Sequence, residues 1–109
     1  MLKHKFGIMQ EPPQKGEKFY NYSPQRFNCI SVNDDFIMPL LSRLKNVRCC
    51  WHTLERQEFG LAYCGITLIP PESLDLFMET IWCEPNLSDL LELLSKARKE
   101  NKYVIHYGI

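Results

Sequence analysis

The spacing of apolar and polar residues changes several times along this chain, and each change marks a predicted element. From Gln25 to Asn33 the run QRFNCISVN alternates and is rich in strand formers, which predicts a strand. Asp34 and Asp35 follow as N-cap residues for a helix reaching about Lys45. Pro39 must then fall near its first turn, where a missing N–H costs little. Val47 to Leu54 and Phe59 to Ile69 read as two strands joined by the short polar link ERQE, an antiparallel hairpin. Pro70 and Pro71 end the second strand, since proline donates nothing to a ladder and is preset for a helix start.

Leu74, Phe77, Met78 and Ile81 recur at i, i+3, i+4 and i+7, so a helix follows, with Glu72 and Asp75 in its first turn as dipole partners. Pro85 breaks it. Asn86 with Asp89 resembles a capping box for a further helix, whose Leu87, Leu90, Leu91, Leu94 and Ala97 line one face. Lys96, Arg98 and Lys99 make its last turn basic, Asn101 suits the stop, and Tyr103 to Tyr107 reads as a final strand.

Strand, helix, strand, strand, broken helix, strand is the order of the ferredoxin-like, split βαβ arrangement. The expected class is therefore α+β, one antiparallel sheet with helices on one face. Residues 1–24 stand apart, with Pro12, Pro13 and Pro24 and little periodicity. They are expected to form an N-terminal extended arm, anchored by Phe6, Ile8, Met9, Phe19, Tyr20 and Tyr22, ahead of a single α+β domain over residues 25–109.

Helices cover one face of such a sheet and leave the other to something else. With ERQE as the loop, Leu54 faces Phe59, Cys50 faces Tyr63 and Cys49 faces Cys64. Val47, Cys49, Trp51, Ala62, Cys64, Ile66 and Leu68 then point to the helices. The opposite set is Arg48, Cys50, His52, Leu54, Phe59, Leu61, Tyr63 and Thr67, and a slip of one residue exchanges the two sets. Arg48, His52, Leu61 and Tyr63, extended by Phe27, form the expected binding face. So much apolar surface calls for cover by the arm or by a second subunit.

Charge narrows the partners. Thirteen basic residues balance thirteen acidic ones, so the general attraction to nucleic acid or anionic membrane is missing. No apolar run approaches the ~20 residues of a membrane helix, and no hydrophobic leader follows Met1. Five cysteines, an odd number in apolar segments, suit thiols in a reducing compartment, and a cytoplasmic location is expected.

Chemistry-bearing residues are few. In CCWH, residues 49–52, the two cysteines alternate across a strand, so only Cys50 and His52 share a face and a four-ligand zinc site is not completed; no metal or cofactor is expected. Cys50 between Arg48 and His52 is the one place where a thiolate would find positive neighbours, and these three are the catalytic candidates. His4 and His106 read as hydrogen-bonded packing residues, and Asp34 and Asp35 as caps. RFNCISV and EFGLAYCG offer Phe27, Phe59 and Tyr63 as base-stacking platforms, without the basic residues that usually accompany them. The expectation is a small cytoplasmic interaction or regulatory domain that meets a protein partner, or a second copy of itself, through the open sheet face or a sheet edge. A small-ligand binder or enzyme built on Arg48, Cys50, His52 and Tyr63 is the alternative, and single-stranded RNA binding the second.

Overall fold

The computed structural model of the chain describes residues 2–109. Six strands, β1 (Lys3–Ile8), β2 (Ile30–Asn33), β3 (Arg48–Trp51), β4 (Gln57–Phe59), β5 (Ile66–Ile69) and β6 (Val104–Tyr107), form one sheet in the order β2-β1-β6-β5-β3-β4. Every neighbouring pair is antiparallel. Three α-helices, α1 (Asp34–Ile37), α2 (Leu74–Ile81) and α3 (Ser88–Glu100), pack on one face, so the domain is α+β.

The two long helices keep the apolar faces expected of them, but the capping box expected from Asn86 and Asp89 does not form: the N-cap of α3 is Leu87, with no side-chain hydrogen bond. Pro71 opens a single 3-10 turn ahead of α2, and Leu74, Phe77 and Ile81 of that helix are buried. Pro85 opens the turn ahead of α3, which buries Leu90, Leu94 and Ala97. Asn101 ends α3 in the left-handed conformation, φ 56°, and the amides of Asn101 and Lys102 close on Arg98 and Ala97 carbonyls. Phe6 meets Phe77 edge to face at 6.4 Å, and this contact locks α2 onto the middle of the sheet.

Four further expectations need correction. The helix expected over residues 34–45 is broken into α1 and two 3-10 turns, Met38–Leu40 and Arg43–Asn46, because Pro39 interrupts the ladder. Its cap is Asn33, whose side chain accepts from the Asp35 amide at 2.9 Å; Asp34 is left for another task. The strand expected over residues 25–33 begins only at Ile30, after a 3-10 turn at Pro24–Phe27 and a left-handed Asn28.

The hairpin is the third correction. Chain 59–69 is not one strand: Gly60, at φ 84°, turns it away, and it returns only at Ile66. β4 pairs with one edge of β3, Arg48 facing Phe59 and Cys50 facing Gln57, while β5 pairs with the other, Cys50 facing Leu68. The expected sets are therefore half right. Cys49 faces the helices and Cys50 does not, but Ile66 and Leu68 lie on the far face and Leu61 lies in the helix-side core.

The fourth correction concerns residues 1–24. Lys3–Ile8 is an inner strand pairing with β2 on one side and β6 on the other. Its period of two is hard to see in the sequence because one inward residue is a histidine: His4 and Phe6 point to the helices. A split βαβ unit would seat β2 between β5 and β6, but those two are direct neighbours, and β1 and β2 extend the sheet beyond β6.

Between Ile8 and Pro24 the chain forms no helix or strand. Met9 donates its amide to Tyr103 at 2.9 Å and Phe19 donates to His52 at 2.7 Å. Between these ties the chain crosses the sheet face opposite the helices. Met9 and Phe19 are buried there with Cys50, Ile66, Leu68, Ile105 and Tyr107 as a second core. The face is covered by its own chain.

Candidate functional site

Two side-chain groupings stand out, one sealed and one open. The sealed grouping lies under the helices. His4 Nε2 meets Asp34 Oδ1 at 2.8 Å, His4 Nδ1 meets His106 Nε2 at 2.8 Å, and His106 Nδ1 meets Thr67 Oγ1 at 3.1 Å. Tyr63 donates its hydroxyl to Asp34 Oδ2 at 2.8 Å, and the Ala62 amide donates to Thr67 Oγ1 at 2.8 Å.

Proton positions follow from the acceptor-only carboxylate. His4 Nε2 must donate to Asp34. With both imidazoles neutral, His4 Nδ1 then accepts from His106 Nε2, and His106 Nδ1 accepts from the Thr67 hydroxyl. Every hydrogen thus points one way, towards Asp34, and the chain of bonds ties β1, β5, β6, α1 and the loop after Gly60 together.

Its electrostatics agree. The hydrogen bond from His4 holds the Asp34 carboxyl below the ordinary range, against some burial. That carboxylate pushes the Tyr63 phenol up. Burial, with the neighbouring His4, keeps His106 well below the usual histidine range. Both histidines are fully buried. Their ring nitrogens are spent on one another and on Asp34 and Thr67. Among the described residues no three His, Cys, Asp or Glu side chains are placed to hold a metal ion.

The open grouping is a groove of about 420 Å3 at one end of the sheet, between arm residues Tyr20 and Tyr22 and the chain around Gly65 and Gly108. Tyr20 stacks on His52 with centroids 5.0 Å apart and planes at 19°, and Tyr22 meets Tyr107 at 5.4 Å and 73°. His52 organises this wall. Its backbone is left-handed, φ 67°, which is uncommon outside glycine. Its amide donates to Ile66 at 3.0 Å, its carbonyl accepts from Phe19, and its Nδ1–H donates to the Phe19 carbonyl at 2.9 Å. His52 therefore fastens the arm to β5, and Tyr20 is placed one residue beyond that fastening.

No family model, curated protein or solved structure matches this chain.

The expected candidates are dispersed. Cys50 is buried in the second core and donates to the Leu54 carbonyl at 3.6 Å, and burial, with the charges of Glu55 and Glu72, raises its thiol, the opposite of what favours a thiolate. Arg48 lies over the Phe59 ring at 5.8 Å, near the β4 edge. His52 is at the groove, Tyr63 is in the sealed chain, Leu61 is in the helix-side core, and Phe27 packs beside Tyr107 under Arg26. Arg48, Cys50, His52 and Tyr63 do not share one face. All five cysteines are free; Cys64 and Cys83 are exposed, and burial pushes Cys49 up to about 12 and Cys29 to about 11.

Sequence reasoning missed the sealed chain because positions 4, 34, 63, 67 and 106 meet only in the fold. It placed Tyr20 and Tyr22 as arm anchors, yet of the three aromatics in this stretch only Phe19 is buried. The F-Y-x-Y spacing carried the hint: on extended chain, Phe19 faces opposite to Tyr20, and Tyr22 shares the side of Tyr20.

Proposed function

We propose that this chain is a small non-catalytic interaction domain that takes hold of a protein partner at the aromatic groove. One observation carries the reading. Tyr20 and Tyr22 are 66% and 62% exposed at the rim of a groove whose opposite wall is the chain at the ends of β5 and β6, while Met9 and Phe19 of the arm are buried on the same sheet face. Large exposed aromatics on a rigid frame are what binding hot spots are made of, because they add contact area at little entropic cost. The open sheet face expected from the sequence is thus narrowed to its uncovered end.

The enzyme alternative loses support because its thiol is buried and its histidine is engaged by the arm. The RNA alternative loses support because, among the described residues, no Lys or Arg lines the groove, and phosphate neutralisation supplies most nucleic-acid affinity. A cytoplasmic setting, with five thiols kept reduced, belongs to the same proposal, as does a second copy of the chain as one admissible partner. No helix of the described residues is long and apolar enough to cross a membrane.

The test is a comparative capture from native cytosol using the wild-type chain and a Tyr20→Ser/Tyr22→Ser variant with an unchanged amide spectrum. A partner held by the wild type and lost by the variant supports the reading. Equal capture by both moves the binding surface elsewhere.

A further inference from the structure

The chemistry of the groove narrows the kind of partner it takes, an inference that rests on the interaction function proposed above. Tyr20, Tyr22, His52, Cys64, Ile66, Tyr107 and Ile109 supply side chains to its lining, and among the described residues no Asp, Glu, Lys or Arg side chain joins them. A ligand anchored by phosphate, carboxylate or ammonium would give up hydration there without gaining an Asp, Glu, Lys or Arg partner among the described residues. The ligand that fits is uncharged where it touches.

Its shape is bounded too. The two sheet edges, β2 and β4, contribute no described residue to the lining, so an incoming strand has no ladder to join. At about 420 Å3 the groove sits near the lower end of the range for ligand sites, room for a short segment rather than a helix face. Gly65 and Gly108 leave bare backbone in the lining. A side chain on Gly108 would stand 2.1 Å from the Tyr63 carbonyl oxygen, and one on Gly65 2.7 Å from His52 Nε2, so both positions are held open by packing beneath them.

Tyr20 stacks one ring face on His52 and Tyr22 meets Tyr107 edge to face, while both tyrosines stay largely exposed. Neither the Tyr20 nor the Tyr22 hydroxyl is engaged by a protein group among the described residues.

We infer that the groove is a cradle for a proline-rich segment of a partner in the polyproline II conformation. Such a segment has three residues per turn, no internal hydrogen bonds and carbonyls that look outward as acceptors. Its rings lie against tyrosine faces, its carbonyls accept from the two tyrosine hydroxyls, and its backbone is already ordered, so little entropy is lost on docking. The absence of charged side chains and of a sheet edge from the described lining, which counts against other peptides, costs this one nothing.

An amide-resolved NMR titration with an oligoproline peptide tests this, with a Gly/Ser peptide of equal length and oligouridine as comparators. The expected result is a saturable shift at Tyr20, Tyr22, Gly65 and Gly108 with oligoproline alone. Tyr20→Ala and Tyr22→Ala should each weaken it about tenfold or more, and Tyr20→Phe should weaken it less by keeping the ring. No shift at millimolar peptide, shifts centred elsewhere, or an equal response to oligouridine overturns the inference. A self-association that accounts for the same shifts overturns it as well. If the tyrosine variant loses its cytosolic partner but oligoproline does not bind, the interaction function stands and the proline-rich ligand falls.

Discussion

Replacing Phe19 by alanine probes whether the arm is part of the fold or lies loosely on it. Phe19 is 6% exposed and packs into the core formed with Met9, Cys50, Ile66, Leu68, Ile105 and Tyr107. Transfer of a buried phenylalanine side chain out of water contributes about 1.5–3 kcal/mol. The void left behind raises measured costs of such truncations to about 3–5 kcal/mol when the surroundings cannot close. Here they close poorly. The arm is tied at Met9 to Tyr103 and at Phe19 to His52, and the floor of the site is the paired β5–β6 sheet. A loss of about 3 kcal/mol is expected, a large part of the ~5–15 kcal/mol typical of a domain. At about 4 °C per kcal/mol for a chain of this size, Tm should fall by roughly 12 °C. Urea unfolding followed by circular dichroism gives the free energy, and dye binding in native buffer reports whether the second face has opened. A loss under about 1 kcal/mol with no gain in dye binding would refute the reasoning, since it would mean that the second core does not depend on Phe19.

Acid should destabilise the protein earlier than carboxylates alone would cause. The folded state holds His106 neutral, so below about 6.5 the unfolded chain takes up a proton that the native chain refuses. Stability then falls as pH drops, at up to about 1.4 kcal/mol per pH unit. Asp34, held low by His4, adds a second loss below about 3.8. Urea midpoints from pH 7.5 to 5 check the sign, and His106→Gln should flatten the slope; an identical slope would exonerate His106. Timed alkylation read by mass spectrometry should modify Cys64 and Cys83 first and Cys49 and Cys50 only on unfolding, whereas fast labelling of Cys50 would revive its candidacy as a nucleophile. Gly108→Ala should distort the groove and lower Tm, because the new methyl meets the Tyr63 carbonyl at 2.1 Å; a wild-type Tm would show that this close approach relaxes freely.

The sequence by itself determined the elements whose signals are local. Pro71 and Pro85 mark the starts of two helical units, the apolar stripe through Leu74, Phe77 and Ile81 finds its face, and Asn101 ends the last helix. Those outcomes depend on a missing N–H, a 3.6-residue period and a left-handed cap, all properties of neighbouring residues. It also determined that Cys49 and Cys50 point to opposite faces, since alternation is built into a strand.

What tertiary structure decided was everything that depends on partners distant in the chain. Whether Lys3–Ile8 joins the sheet depends on His4 finding Asp34 and His106, which turn a polar side chain into an acceptable core residue. Whether Phe59 and Ile66 lie on one strand depends on Gly60 turning the chain so that β3 gains a neighbour on each edge. The groove exists because His52, in a conformation that local preference disfavours, is held by Phe19 and Ile66 from two other segments. Period and propensity act over a few residues; hydrogen bonds between positions 4 and 106, or 19 and 52, are fixed only when the whole sheet has assembled.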